Sequence, residues 1–439
     1  MSFTTARSRW SDVWLVTAAR GISSCGDFLA ASALTLTLQS AGAGGLAVSG
    51  LLLAATLPLV ALAPLTGRLA DRVDSRKLLV VVGLAQAGIC LALAHTSHPA
   101  LVILLVGLLA AGLAVTQPVL AALVPAMVRP ADLPRASALQ QSAGTLGVLA
   151  GPALAGVLVG GFGVRLPLLI DAASYLALVA AGLLIRTRRG GRRSVTTSEV
   201  GSGGTAPVWR LRRDPLLLAT VVGVAGVIGA VGAINVVEVF FIRETLHSTT
   251  TMYGLVTGCW TLGVLAGAWI FARVAGRLRG DAALAGGNLA LLGGCCLAVL
   301  ASAAVPSAAL LVPIWLAGGI CNGGDNVFGN VLMARRVPEA ARGRAFAVYV
   351  GAVQGASMVG YLAGGFLLEL LAPRPLVAAA GVAGLIAVAV LAVPLARAAR
   401  AERDGRVLVG GGAEAPASEE RAKAARVPDA GLATPTPGR

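Results

Sequence analysis

Four polar side chains with the spacing of one helical face stand inside an apolar stretch near the start of the chain. Ser23, Ser24 and Asp27 follow Arg20 at intervals of three, four and seven residues, which places all four along one side of a helix. A charged group in such a stretch is costly unless it is paired or lines a water-filled path. Arg20 and Asp27 lie about 10 Å apart along the helix axis, too far for a simple ion pair. The stripe therefore predicts a path for protons or a polar solute, with a structural hydrogen-bond network as the alternative.

Isolated polar side chains recur in later apolar stretches. Asn235 and Glu238 are three residues apart and can share a helical face. We predict one substrate and proton pathway that comprises Arg20, Ser24, Asp27, Asp171, Asn235, Glu238, Asn322, Asp325, Asn326 and Gln354. Within it Asp27 is the first candidate for the protonation site, with Asp325 and Glu238 next.

The elements that hold these residues are long apolar segments. The chain has 439 residues, of which 56% are hydrophobic and 13% charged, and its mean hydropathy is +0.83. These values exclude a soluble domain, and each run approaches the roughly 20 residues that cross a bilayer. We predict an all-α membrane protein with twelve spans at 12–39, 45–66, 78–95, 100–123, 137–160, 164–185, 215–241, 252–274, 282–304, 308–333, 345–371 and 375–396.

The spans form two sets of six around one polar segment. We predict a short amino-terminal segment (1–11), two six-helix bundles (12–185 and 215–396), a linker (186–214) and a disordered tail (397–439). Residues 134–160 align weakly with residues 343–369, as expected for parallel repeats. Such repeats place a substrate site between the halves near the middle of the membrane.

The basic residues predict the orientation. Net charge is +15, but the 35 Lys and Arg residues fall in short clusters between the apolar runs, which argues against a nucleic-acid partner. All but Arg20, Arg165, Arg243 and Arg374 lie on one side of the predicted membrane. Because basic residues in short loops stay in the cytoplasm, we predict that both termini and the linker are cytoplasmic.

The loop between the second and third spans carries the main resemblance to a known family. It contains Gly67, Asp71, Arg72, Arg76 and Lys77, and this order resembles the same loop of the major facilitator superfamily. The departures are Asp74 and Ser75, where many members have Gly and a basic residue. The alternative is a cytoplasmic hairpin that collects Arg by the positive-inside bias alone. The resemblance implies that the loop is a conformational latch that contacts neighbouring helix ends.

The fifth and first spans add further resemblances. Gly147, Gly151, Pro152 and Gly156 resemble the fifth-helix signature of drug–proton antiporters in that superfamily, although Ala138 and Ala155 replace its other glycines. The glycine spacing also suits ordinary close helix packing, and Pro152 can bend the helix. The order of residues 20–27 resembles the first helix of macrolide and siderophore exporters.

The resemblance covers about residues 10–396 and implies the twelve-helix major facilitator fold. It implies a monomeric secondary transporter in the cell membrane, surrounded by lipid, that exports a drug-like, secondary-metabolite or siderophore molecule in exchange for protons.

We expect no cofactor and no metal site, because the cysteines and histidines lack the spacing of metal ligands. No phosphate-binding loop occurs in the sequence, which favours an ion gradient over ATP. Two alternatives are a lipid or lysophospholipid flippase of the same fold and, from another class, a non-transporting receptor or embedded enzyme.

Overall fold

The computed structural model describes residues 8–63, 65–66, 69, 73–187, 211, 214–278 and 280–412. Twelve long helices make up nearly all of this part of the chain, which contains no β-strand. They are α1 (Trp10–Ser40), α2 (Gly44–Ala61), α3 (Ser75–Ala94), α4 (Pro99–Met127), α5 (Leu133–Phe162), α6 (Arg165–Leu184), α7 (Pro215–Thr245), α8 (Thr250–Arg277), α9 (Asp281–Ala304), α10 (Ala308–Arg336), α11 (Glu339–Leu368) and α12 (Pro373–Gly412).

Each helix corresponds to one predicted span, and the all-α prediction is confirmed. A helix forms the hydrogen bonds of its own backbone N–H and C=O groups, whereas lipid offers these groups no partners. Among the described residues, eleven helices are long and apolar enough to cross a membrane. The remaining one, α10, has 29 residues and carries the polar group around Asn322, Asp325 and Asn326.

Several helix ends differ from the predicted ones. α2 ends at Ala61, and α12 continues to Gly412, beyond the boundary that we predicted at residue 396. α7 consists of Pro215–Val231, Ile234–Phe240 and a π-helical turn at Phe241–Thr245. Residues 188–210, 212–213 and 413–439, which include most of the predicted linker and tail, lie outside the described residues.

The same helix pairings occur in both halves. α1 packs on α5, α2 on α4 and α3 on α6; in the second half α7 packs on α11, α8 on α10 and α9 on α12. Adding six to the helix numbers of each first-half pair gives the corresponding pair of the second half. The weak sequence similarity between the halves therefore accompanies a repeated arrangement of helices.

Close glycine contacts join the two halves at one end of the bundle. We call the end at which α1 begins the terminal end and the opposite one the distal end. Towards the distal end α5 meets α8, and a Cβ on Gly156 would lie only 2.9 Å from Cα of Gly254. α2 meets α11 there as well, where a Cβ on Gly45 would lie 2.8 Å from the carbonyl oxygen of Gly365. Because real Cβ contacts are longer, these glycines allow the helices to touch.

Two hydrogen bonds reinforce this closure. Gln39 of α1 donates from Nε2 to Oε1 of Glu244 in α7 at 3.0 Å. The backbone N–H of Leu46 in α2 donates to Oε1 of Glu369, just after α11, at 3.4 Å. The two halves are thus held together at the distal end.

Candidate functional site

A cavity of about 280 Å³ lies between the two halves. Four lining residues come from α1 and α5, and ten come from the second half. They are Phe28, Ser32, Val148, Pro152, Val231, Ile234, Asn235, Glu238, Tyr253, Thr257, Trp260, Thr261, Val299 and Trp315. Both halves therefore contribute to one concave, largely apolar site of the kind that binds small molecules.

The interruption of α7 presents Asn235 and Glu238 to the cavity. The α-helix stops at Val231 and resumes at Ile234, and Asn235 Nδ2 donates to the carbonyl of Gly232 at 3.2 Å. Oε1 of Glu238 accepts a hydrogen bond from Tyr253 Oη at 3.3 Å. Asn235 and Glu238 share the cavity face, as their spacing predicts.

Aromatic side chains form the walls around these polar groups. The rings of Trp260 and Trp315 meet edge to face with centroids 5.7 Å apart. Trp315 Nε1 donates to Ser302 Oγ at 3.2 Å, which fixes its ring. Phe28 of α1 lines the cavity from the first half. None of these aromatic residues was predicted as a site residue, because an aromatic residue in an apolar span resembles ordinary core.

Amide side chains continue from the cavity toward the terminal end. Asn322 and Asn326 follow Trp315 at spacings of seven and eleven residues, which puts all three on one face of α10. Asn326 is exposed, and its Nδ2 donates to the carbonyl of Asn322 at 2.8 Å. Gln141 is exposed on α5, eleven residues before Pro152 and on the same face. Gln141 was not predicted, although its helical spacing from Pro152 could have indicated it.

Asp27 and Asp171 belong to a network inside the first half instead. Asp27 of α1 accepts a hydrogen bond from Tyr175 Oη of α6. Asp171 is 0% exposed and accepts hydrogen bonds from Ser174 Oγ at 3.1 Å and Cys90 Sγ at 3.2 Å. Neither carboxyl group is among the residues that line the cavity.

Arg20 and Ser24 lie where α1 packs on α5. A Cβ on Gly144 would lie 3.2 Å from Arg20 Nε, and a Cβ on Gly147 would lie 2.9 Å from Cβ of Ser24. Arg20 Nε is buried and has no hydrogen-bond partner among the described residues. The predicted face of α1 therefore runs along the contact with α5 and α6 rather than into the cavity.

The remaining predicted site residues also lie outside the cavity lining. Asp325 is 2% exposed, and Asn288 Nδ2 donates to its Oδ1 at 2.5 Å; this contact joins α9 to α10. Gln354 is half-buried on α11 and does not line the cavity.

The glycines predicted on α5 face two different helices. Cβ atoms on Gly147 and Gly151 would lie 2.7 Å from the backbone nitrogen of Cys25 and 2.8 Å from that of Leu29, both in α1. Gly156 faces α8 at the closed end. Pro152 lies within α5 and lines the cavity.

The predicted latch is described only in part. Gly67, Asp71 and Arg72 lie outside the described residues. Arg76 donates from Nε to the carbonyl of Gly182 at 2.9 Å and also contacts the carbonyl of Leu183. Arg76 thus ties the start of α3 to the end of α6. Lys77 follows it in the first turn of α3.

Solved structures of transporters share this architecture. The nucleoside transporter NupG aligns with a TM-score of 0.70 over 87% of this chain and 99% of its own, at 12% identity. A bacterial homologue of the human lysosomal transporter Spinster gives 0.64 over 89% and 95%, at 15% identity. A bacterial homologue of the iron transporter ferroportin gives 0.65 over 89% and 100%, at 17% identity. At these identities the similarity establishes the fold alone.

Comparison of the sequence with known proteins identifies the family. None of the curated proteins matches it significantly. The sequence model of the transmembrane secretion effector family matches residues 6–406, nearly the whole chain. Together with the twelve-helix fold, this match confirms the resemblance seen in the sequence. The chain belongs to the transmembrane secretion effector family of major facilitator transporters and is a multi-pass membrane transporter.

Proposed function

We propose that this transporter is a secondary active exporter, which moves a drug-like or secondary-metabolite molecule out of the cell in exchange for protons. The observation that carries the proposal is the cavity between the halves, with Glu238 in its wall. A carboxyl group at the substrate site can bind either a proton or a substrate, so a single residue can couple substrate transport to proton transport. Rocking of the halves around such a site is the transport mechanism of this kind of fold.

The proposed orientation puts both termini in the cytoplasm of a cell-membrane protein. The terminal end would then face the cytoplasm, and the closed distal end would face outward. The amide side chains of Gln141, Asn322 and Asn326 would line the route from the cytoplasm to the cavity. The described conformation would be the inward-facing one.

The surroundings of the carboxyl groups favour Glu238 as the coupling residue. Asp27, the first candidate from the sequence, is engaged with Tyr175 in the first half. Asp325 is engaged with Asn288 in the second half. Glu238 faces the cavity, so substrate can reach it directly.

Transport by purified protein in proteoliposomes tests this function. The vesicles contain a pH-sensitive dye and are offered cationic, anionic and uncharged drug-like compounds under an imposed proton gradient. We expect at least one compound to accumulate against its own gradient and to release protons as it moves, and a protonophore to abolish both. Uptake of every compound without proton movement would contradict proton coupling.

The same vesicles separate the exporter from a flippase. A fluorescent lysophospholipid is placed in one leaflet and its translocation is followed beside the soluble compounds. Translocation of the lipid, with no uptake of any soluble compound, would replace the proposal by a flippase of the same fold.

The loop at Gly67–Lys77 remains our proposed latch. It should bias a conformational equilibrium rather than touch substrate, so Asp71→Asn is expected to slow transport several-fold while expression and substrate affinity stay the same. Initial transport rates and binding isotherms at matched protein levels measure both quantities. Unaltered kinetics in a well-expressed variant would count against the latch.

A further inference from the structure

Glu238 is the only charged side chain among the described residues that line the cavity. Its observed protein partner is the neutral hydroxyl of Tyr253. The charged residues of α1 lie elsewhere, since Arg20 packs against α5 and Asp27 bonds to α6. A carboxylate inside the membrane is energetically costly unless a cation or a proton neutralises it. The cavity lining supplies no such cation, so it must come with the solvent or the substrate.

The walls around Glu238 suit a particular kind of cation. Phe28, Tyr253, Trp260 and Trp315 contribute four aromatic rings from both halves. The face of an aromatic ring attracts a cation within about 6 Å of its centre, and rings of this kind bind quaternary ammonium groups in other proteins. The rings also offer apolar surface to the substituents of the cation.

We propose that the cavity binds an organic monocation with aryl or alkyl substituents, such as a substituted ammonium or phosphonium, with its charge between Glu238 and the aromatic rings. This inference rests on the proposed function, because it assigns a substrate class to the same cavity. Organic anions fit this site poorly, since the described lining carries the carboxyl group of Glu238 and no basic side chain.

A proton competes with the organic cation for Glu238. Among the described residues, the titratable groups that face Glu238 are Tyr253 of α8 and Tyr361 of α11. Both are phenols, which stay neutral at ordinary pH, and Arg20 and Asp27 of α1 face other helices. Acidification therefore weakens binding of the organic cation through Glu238 alone.

Binding of tetraphenylphosphonium to the purified full-length protein tests the site without any gradient. Triphenylphosphine oxide, which is similar in shape but uncharged, is measured in parallel by quenching of tryptophan fluorescence and by equilibrium dialysis. We expect Glu238→Gln to weaken tetraphenylphosphonium binding by about tenfold or more, which corresponds to about 1.4 kcal/mol. Binding of the neutral compound should change by less than about twofold, which also shows that the variant is folded.

Asp132→Asn is the matched control. Asp132 lies between α4 and α5, and the hydrogen bond from Ser8 together with Arg129 lowers its pKa, so that it is charged at neutral pH. This variant loses one negative charge outside the membrane and should bind both compounds as the wild type does. Binding in the wild type should weaken as the pH falls, whereas Glu238→Gln should lose this dependence.

The outcomes separate this inference from the proposed function. Equal affinity of wild type and Glu238→Gln for tetraphenylphosphonium would overturn the cation site, even if the protein transports another compound. Charge-selective binding without transport of any compound would support the cation site and contradict the proposed exporter.

Discussion

Glu238, which we propose as the coupling residue, and Asp27, the first candidate from the sequence, differ in their surroundings. Glu238 lines the cavity, whereas Asp27 accepts a hydrogen bond from Tyr175. In Asp27→Asn the amide oxygen can still accept the hydrogen bond from Tyr175, although the amide group cannot be protonated as a carboxylate can. Because we assign coupling to Glu238, we expect Asp27→Asn to retain substrate-driven proton release. Asp27→Leu should lower the free energy of unfolding by about 1–3 kcal/mol, because it leaves the Tyr175 hydroxyl buried without a partner.

Proton release in proteoliposomes and thermal unfolding in detergent measure the two effects at this residue. Wild type, Asp27→Asn and Asp27→Leu are compared at matched protein levels. Loss of proton release in Asp27→Asn, with tetraphenylphosphonium binding preserved, would return the coupling site to Asp27.

Two helix pairs, α5 with α8 and α2 with α11, form the contacts that close the distal end of the bundle. A side chain at Gly156 would overlap α8, since even a Cβ would lie 2.6 Å from the carbonyl oxygen of Thr250. Overpacking of this kind typically costs about 1–3 kcal/mol. Gly156→Val should therefore shift the population toward the conformation that is open at the distal end. Spin labels at Arg165 and Leu370, in a background without the native cysteines, should report a longer distance across that end.

Gly161 supplies a matched control on the same helix. A Cβ at Gly161 meets nothing within 4 Å, so Gly161→Val introduces the same side chain near the end of α5 without touching α8. The distance between the labels should stay as in the wild type. Equal distances in Gly156→Val and Gly161→Val would show that the α5–α8 contact does not hold the distal end closed.

The distribution of charge over the whole molecule predicts its orientation. In the predicted topology all but four of the 35 basic residues fall on the side of the termini or in the linker, and basic residues in short loops resist translocation. We expect a fluorescent reporter to be active when fused within residues 186–214 or after residue 439. A periplasmic phosphatase should be active when fused at the distal loop near Arg165.

Labelling of single cysteines from outside intact cells provides an independent measurement. A cysteine introduced at His247, in the distal loop between α7 and α8, should react with an impermeant maleimide. A cysteine at Ser202 should react only after lysis. The reverse pattern would invert the topology and make the described conformation outward-facing.

The number, order and approximate ends of the membrane helices could be predicted from the amino-acid order. Each span is a local property, because about 20 apolar residues suffice to cross the bilayer and a helix satisfies its own backbone. The family resemblance was equally local, since it depended on short motifs such as the loop around Asp71. The helical spacing of Asn235 and Glu238 also predicted that they share a face.

Which polar residues meet across the bundle was decided by the packing of the helices. Periodicity places Arg20, Ser24 and Asp27 on one face of α1, but it does not say which neighbour that face meets. In the structure it meets α5 and α6, so Asp27 bonds to Tyr175, 148 residues away. Glu238 became the carboxyl group of the cavity because the break in α7 and the positions of α8 and α10 bring Tyr253 and the two tryptophans around it. Such contacts depend on the rotation and tilt of several helices at once, and no single segment of the sequence carries that information.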